Sequence, residues 1–274
     1  MLDELRVRPG LDLARIDPHS TPGWTDGRAA AEQTMHDQLD ELSELQEKLF
    51  AHGRQGGTRR VLLVLQAMDT AGKGGVVRHV VGAVDPQGVR IASFGAPTPE
   101  ELEHDFLWRI RAQLPQAGKI GVFDRSHYED LLVPAVRQGR SEDELADRVT
   151  AIRDFEAELA AEGTVVRKVM LHISRDEQKE RLRKRLERAD KHWKYNPHDL
   201  EDRARWDRFQ AAYRWMLQAT DADEAPWYVV PADRKWFARF AVHTILLEAL
   251  RGLDLDWPEA DFDVEAEKRR LEAS

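Results

Sequence analysis

The sequence predicts an α/β fold, a doubly wound parallel five-stranded sheet covered by helices, and three observations predict it. Five short apolar runs punctuate the chain at Val61–Leu65, Val89–Phe94, Ile120–Phe123, Val165–Ile173 and Trp227–Val230. Helical periodicity fills the intervals between them. A glycine-rich loop follows the first run directly. Strands that are apolar at nearly every position are buried on both faces, and strands that alternate with helices are joined in parallel.

Each element can be justified in order. Met35, Leu39, Leu42, Leu45 and Leu49 recur at helical spacing among acids and predict an amphipathic helix over Glu32–Phe50. The stretch 52–57, His-Gly-Arg-Gln-Gly-Gly, has the composition of a linker into the first strand. Helices are then expected over Lys73–Val84, Pro99–Leu114, Glu142–Ala161 and Asp176–Ala189. A Trp-rich loop and a further helix reach Thr220, and Lys235–Leu250 closes the fold. The domain reading is an N-terminal helical extension (1–57), an α/β domain (58–255) and a C-terminal tail (256–274). No internal repeat or low-complexity tract interrupts it.

Composition narrows the chemistry. The chain has 274 residues, 42% hydrophobic and 33% charged, and no cysteine, which excludes disulfides, thiolate catalysis and Cys-ligated metal. The run Val61–Leu65 is far shorter than the roughly 20 residues a membrane span needs. The first ten residues offer no apolar stretch for a signal peptide, so a cytoplasmic protein without membrane partners is expected. The formal net charge of −9 argues against nucleic acid. The charge is uneven, however: Arg167–Arg214 holds 15 Lys/Arg and 9 Asp/Glu, a local +6, leaving −9 − 6 = −15 elsewhere. A polyanion partner suits that segment.

The strongest motif is the loop after the first strand, Ala67-Met68-Asp69-Thr70-Ala71-Gly72-Lys73-Gly74-Gly75. It is a near match to a phosphate-binding P-loop, where successive backbone N–H groups and a helix start cradle phosphate oxygens and the lysine adds a mobile charge. Ala67 replaces the first glycine of the usual pattern. Gly74 replaces the hydroxyl residue that would hold magnesium. Asp69 is the substitute ligand within the loop, because a carboxylate binds magnesium more strongly than a hydroxyl. Met68, Thr70, Ala71, Gly72 and Gly74 form the cradle, with Arg78 on the following helix.

Two further signals accompany it. The strand Ile120–Phe123 ends in Asp124-Arg125, where an acid beside a P-loop organises metal and a cation follows it into the crevice. Ser126 and His127 lack a nucleophile-elbow context and are assigned to phosphate contact or packing. The charged helix carries Arg175, Lys179, Arg181, Arg183, Lys184, Arg185 and Arg188 among four acids, so part of it is a solvated face. Spacing puts Arg181, Arg185 and Arg188 together and Lys179 with Arg183. The connector Lys191-His192-Trp193-Lys194-Tyr195-Asn196-Pro197 is basic and aromatic, which fits a lid closing over phosphates, about 176–210. Arg183, Arg188, Lys191 and Lys194 are its phosphate-binding candidates. Trp206, Trp215 and Trp227 are read as core, His172 as packed in its strand, and Asp233, Arg234 and Lys235 as residues at the same sheet edge as Asp124.

Taken together, 66–75 (QAMDTAGKGG), 123–133 (FDRSHYEDLLV), Lys191-x-Trp193-Lys194 and 225–235 (APWYVVPADRK) resemble the polyphosphate kinase 2 family, from about Arg59 to Leu250. The resemblance implies a P-loop kinase fold related to thymidylate kinase, and magnesium-dependent phosphoryl transfer between inorganic polyphosphate and nucleotides. Manganese is an alternative metal. It implies Asp69 and Asp124 as metal-organising acids, Lys73 and Arg125 as phosphate ligands, and Lys191–Lys194 as the lid. The wording at 68–70 and 127–130 is closest to the branch that accepts nucleoside mono- and diphosphates, with adenine or guanine bases. Homo-oligomers are common in the family. Two other readings stay open on the residues alone: an ATP-dependent nucleoside monophosphate kinase, and a non-catalytic polyanion-binding protein, which would have no use for the metal-holding acids.

Overall fold

The computed structural model describes residues 1–274. Five strands form one all-parallel sheet: β1 (Arg60–Ala67), β2 (Val89–Ser93), β3 (Ile120–Asp124), β4 (Thr164–His172) and β5 (Trp227–Pro231). Their spatial order is β2-β3-β1-β4-β5, with β1 in the centre. The register sets Leu65 of β1 opposite Asp124 of β3, so the P-loop and the Asp-Arg pair emerge side by side at the carboxyl edge, where open α/β sheets bind ligands.

Twelve helices surround the sheet: α1 (Leu2–Leu5), α2 (Gly27–Asp37), α3 (Leu39–Arg54), α4 (Lys73–His79), α5 (Trp108–Arg111), α6 (Glu129–Arg137), α7 (Ala146–Ala161), α8 (Arg175–Glu187), α9 (His198–Ala204), α10 (Trp206–Thr220), α11 (Lys235–Arg251) and α12 (Val264–Glu272). All five expected strands are present. The helical expectations need four corrections, each with a local cause.

The expected helix over Pro99–Leu114 is a 3₁₀ turn at Glu101–Glu103 and the four-residue α5. Thr98 and Glu101 exchange hydrogen bonds with each other's backbone N–H, and the Asp105 carboxylate accepts from Leu107 N, so side chains restart the chain twice within ten residues. Conversely, α6 is not among the expected helices, and it contains Pro134. The carbonyl of Asp130, which a proline cannot engage, instead accepts from Arg148 Nη1 at 2.7 Å. The helix after the P-loop ends at His79 and continues as a 3₁₀ turn, Val81–Ala83. The single N-terminal helix is two, α2 and α3, meeting at Gln38.

Residues 1–57 share the core of the α/β domain. Val7 N donates to Trp227 O at 2.9 Å, and Arg6 forms an antiparallel bridge with Tyr228, so the N-terminus covers the exposed edge of β5. Leu42 and Leu49 of α3 are fully buried in the same apolar cluster as the sheet. The stretch expected as a linker is partly helical, and Gly53 crosses Gly118 so closely that a Cβ on Gly53 would lie 2.5 Å from the Gly118 Cα. The tail carries α12, whose residues are almost all exposed. Among the tryptophans, Trp227 is fully buried while Trp206 and Trp215 pack against the core from its margin. No helix is long and apolar enough to cross a membrane.

Candidate active site

Sequence dictates the backbone of the loop between β1 and α4. Thr70 (φ +66°) and Gly72 (φ +125°) adopt left-handed conformations, and the glycine removes the penalty at the second position. Lys73 opens α4, its Nζ 3.5 Å from Ala67 O and 3.7 Å from Asp124 Oδ1. Beyond β3, Arg125 is also left-handed (φ +63°), and its N–H donates to Leu65 O. That bend brings the guanidinium back over the P-loop, where Nη2 donates to Asp69 Oδ1 at 2.7 Å. Burial opposes the Arg125 charge, but the Glu129 and Asp69 carboxylates more than offset it and hold the guanidinium above its ordinary range. Burial also raises the Glu129 carboxyl, against Arg125 and Lys73.

These groups floor a cleft of about 610 Å³. Asp69 to Gly75, Arg78, Asp124 and Arg125 form one side; Arg181, Lys184, Arg185 and Arg188 of α8, with Lys191 and Lys194 beyond it, form the other; Lys235 and Arg239 of α11 close the end. Eleven Lys/Arg side chains face two acids, Asp69 and Asp124. The charge balance of the cleft is therefore opposite to that of the chain, and it draws polyanions from solution.

Two expected site residues lie elsewhere. Arg183 projects from the opposite face of α8 and pairs with Glu180 and, at 3.8 Å, Glu187. Helix geometry explains this, since 181, 184, 185 and 188 share a stripe that excludes 183. Met68 is buried and lines a second cavity. Ser126 and His127 are fully buried behind the site, Ser126 accepting from Gln66 Nε2 and His127 Nε2 lying 3.2 Å from Glu156 Oε1. Of the 233–235 trio only Lys235 lines the cleft; Asp233 accepts from Ser174 N. Lys191 and Lys194 sit on a 3₁₀ turn, Ala189–Lys194, beside the solvent-exposed Trp193. Asp190 ties Arg188 and Lys191 into that turn, and those hydrogen bonds lower its carboxyl to about 2.

Sequence reasoning did not name Arg181, Lys184, Arg185 or Arg239 as cleft residues, although the i, i+3, i+4, i+7 stripe on α8 contained the signal for the first three. It also missed the second cavity, of about 310 Å³, which adjoins the cleft and shares Asp69 and Arg125 with it. Apolar side chains, among them Leu102, Leu132, Val133, Pro134, Phe209 and Tyr213, line it with Arg109, Arg137 and Arg148.

Short α9 ties the two spaces together. Asp202 receives a two-point contact from Arg137 of α6 (3.1 and 2.7 Å), and Asp199 accepts from Arg185 Nη1 at 3.3 Å. Burial, then the nearby Asp69 charge, raises the Asp199 carboxyl to about 6 against the pull of Arg185. A native carboxyl above its unfolded value of about 4 keeps an extra proton between pH 4 and 6. Its contribution to stability is thus greatest below that window and declines as pH rises through it. We predict that Asp199→Asn gains stability relative to the parent chain between pH 4.5 and 6.5, read from urea midpoints without magnesium; parallel pH curves would remove this assignment.

Asp69 and Asp124 fit a magnesium ion. Both carboxylates face the cleft and in this structure are neutralised only by Arg125 and Lys73. No cluster of three or more ligating side chains exists. That agrees with magnesium, which commonly takes one or two carboxylates and completes its shell with water and substrate phosphates.

Comparison with known proteins gives the family. Residues 26–256 match the family model Polyphosphate kinase 2. The chain belongs to the polyphosphate kinase 2 family. A curated relative from Meiothermus ruber, AMP/ADP-polyphosphate phosphotransferase, is 44% identical over 95% of this chain and 97% of its own length. ADP-polyphosphate phosphotransferase of Rhodopseudomonas palustris is 40% identical over 93% and 92%. The crystal structure of polyphosphate kinase 2 from Arthrobacter aurescens TC1 superposes with a TM-score of 0.95 at 55% identity, covering 98% of this chain and 95% of that one. The polyphosphate kinase 2 fold seen here is a P-loop kinase fold, as the sequence predicted.

Proposed function

We propose that this polyphosphate kinase 2 transfers the terminal phosphoryl group of inorganic polyphosphate to ADP and to AMP, reversibly and with magnesium, the donor lying in the basic cleft and the acceptor in the second cavity. The observation that carries this reading is the junction: a cleft with eleven cations and a half-apolar cavity meet at Asp69 and Arg125. A linear polyanion matches the first in charge. A nucleoside matches the second, whose apolar side chains suit a base and sugar while its arginines suit phosphate. The names of the relatives, which pair polyphosphate with AMP or ADP, support the same assignment.

Transfer at that junction needs positioning and charge neutralisation more than covalent chemistry. An oxygen of the acceptor's terminal phosphate attacks the donor's terminal phosphorus in line; the new P–O bond forms as the bridging P–O bond of polyphosphate breaks, and the shortened chain leaves with the electron pair. No general base is required, since a nucleotide phosphate with a second pKa near 6 is mostly ionised at pH 7. Lys73 follows the moving group, and Arg125, anchored by Asp69, balances charge on it. Asp69 and Asp124 would hold magnesium, which neutralises charge on the phosphates when bound. Lys184, Arg185, Arg188, Lys191, Lys194, Lys235 and Arg239 keep successive donor phosphates in place. A cytoplasmic location and a homo-oligomer complete the proposal, supported by the cysteine-free composition and the family resemblance respectively.

The test is formation of ATP from ADP, and of ADP from AMP, with long-chain polyphosphate and magnesium as the only additions. Transfer to both acceptors is expected. Transfer to one alone narrows the acceptor range, and inertness with polyphosphate but activity with ATP as donor replaces this reading by a nucleoside monophosphate kinase.

A further inference from the structure

The phosphate loop is held from outside itself. Three consecutive carbonyl oxygens, of Asp69, Thr70 and Ala71, are taken by two side chains one turn apart on α8. Gln178 Nε2 donates to Asp69 O at 3.2 Å, and Arg181 Nη1 donates to Thr70 O at 3.0 Å and Ala71 O at 2.7 Å. On its other side Arg181 Nη2 donates to Ala232 O (2.7 Å) and Asp233 O (2.9 Å) beyond β5, while Nε donates to Glu177 (2.7 Å).

A guanidinium has five N–H donors, and all five have acceptors here. Arg181 is only 6% exposed, so although it borders the basic cleft it has no donor left for a phosphate. Peptide units are planar and trans, and drawing three successive carbonyls toward α8 fixes the direction of the N–H groups of Thr70, Ala71 and Gly72. The left-handed conformation of Thr70 is one that persists only where its surroundings over-determine it, and the Arg181 clamp on its carbonyl is such a constraint.

We propose that Arg181 is a positioning residue for phosphoryl transfer: it locks the phosphate loop to α8 and to the end of β5, and makes no ion contact of its own with polyphosphate. The consequence is that the base of the lid helix and the P-loop move as one body, and closure belongs to the far end of α8 and the 189–194 turn. The proposal rests on the reading of the cleft as the polyphosphate site.

A direct phosphate ligand and a positioning residue respond differently to substitution. The experiment measures kcat, polyphosphate KM at several salt concentrations, and the melting midpoint for Arg181→Lys, Arg181→Gln, Gln178→Leu and Lys184→Ala. An ammonium cannot satisfy four carbonyls in two directions, so both Arg181 variants are expected to lose about 100-fold in kcat. By counterion-release logic the slope of log KM against log salt counts ion contacts, and it should match the parent's in Arg181→Gln yet fall by about one contact in Lys184→Ala. Gln178→Leu should lose about fivefold in kcat with the slope kept.

The proposal is overturned if Arg181→Lys keeps more than a third of the parent kcat, or if Arg181→Gln lowers the salt slope as Lys184→Ala does. It is also overturned if the Arg181 variants melt earlier but turn over normally when folded. Should they not fold at all, Gln178→Leu decides, and an unchanged kcat counts against the clamp. A parent chain inert with polyphosphate but active with ATP overturns the donor assignment alone, and the kcat comparison is then read with ATP.

Discussion

Asp124→Asn is expected to lower the rate of phosphoryl transfer by about 10³-fold while leaving the melting midpoint within a few degrees of the parent. The amide has the shape of the carboxylate, so the end of β3 and its register with β1 and β2 are undisturbed. The Lys73 ion pair is the only salt bridge lost, at 3.7 Å and partly exposed, and such a pair contributes about 1 kcal/mol or less. What disappears is a negative charge that holds the lysine and, in the proposed mechanism, would hold the metal where charge develops during transfer. Steady-state rates with polyphosphate and ADP, measured beside thermal melting, check this. A variant with more than a tenth of the parent activity would remove Asp124 from the mechanism.

The largest effect on stability is expected at a site that touches no substrate. Lys168 of β4 is fully buried, and its Nζ donates to Glu156 Oε2 (2.6 Å), Tyr128 OH (2.9 Å) and Thr220 O (2.7 Å). Glu156 Oε1 in turn accepts from Tyr128 OH at 2.7 Å. Burial works against the Glu156 charge, but Lys168 and His127 outweigh it and hold the carboxyl below its ordinary value. Burial also lowers the Lys168 ammonium, but its Nζ meets three acceptors, the number that the three N–H donors of an ammonium satisfy, and this geometry favours an ion pair inside the core. Lys168→Met leaves that carboxylate without its cation, which costs about 3–5 kcal/mol and lowers the melting midpoint by roughly 10 °C. Adding Glu156→Leu to Lys168→Met should recover at least half of the loss, because the stranded charge is then gone. A single variant that melts with the parent, or a double variant that melts no higher than the single, would show that the pair is not ionised in the core. The network also braces His127 and Tyr128, the residues that lead from Asp124-Arg125 into α6.

Much of the site was legible in the chain because it is local. The P-loop occupies consecutive residues, Asp124 and Arg125 adjoin, and Arg181, Arg185 and Arg188 repeat at helical spacing, so short-range geometry brings each group together without knowledge of the rest. The errors came where a side chain speaks to a distant backbone. Arg148 rescues the Asp130 carbonyl and lets a proline sit inside α6. Arg181, which the sequence shows only as one member of a basic helix stripe, is consumed by carbonyls 110 and 51 positions away. The second cavity draws its walls from segments between Ala67 and Tyr213 and leaves no pattern in any one of them.

By itself the sequence determined the alternation of five buried strands with helices, the phosphate loop and the basic stripe, because hydrophobic periodicity and turn chemistry act over a few residues. Only the tertiary structure decided which face of α8 meets the cleft and so leaves Arg183 in solvent, that Arg181 is a brace, that the N-terminal segment closes the edge of β5, and that two cavities meet at Asp69 and Arg125. Those outcomes depend on which distant donor reaches which acceptor once the sheet has set its register, and that pairing is a property of the packed chain.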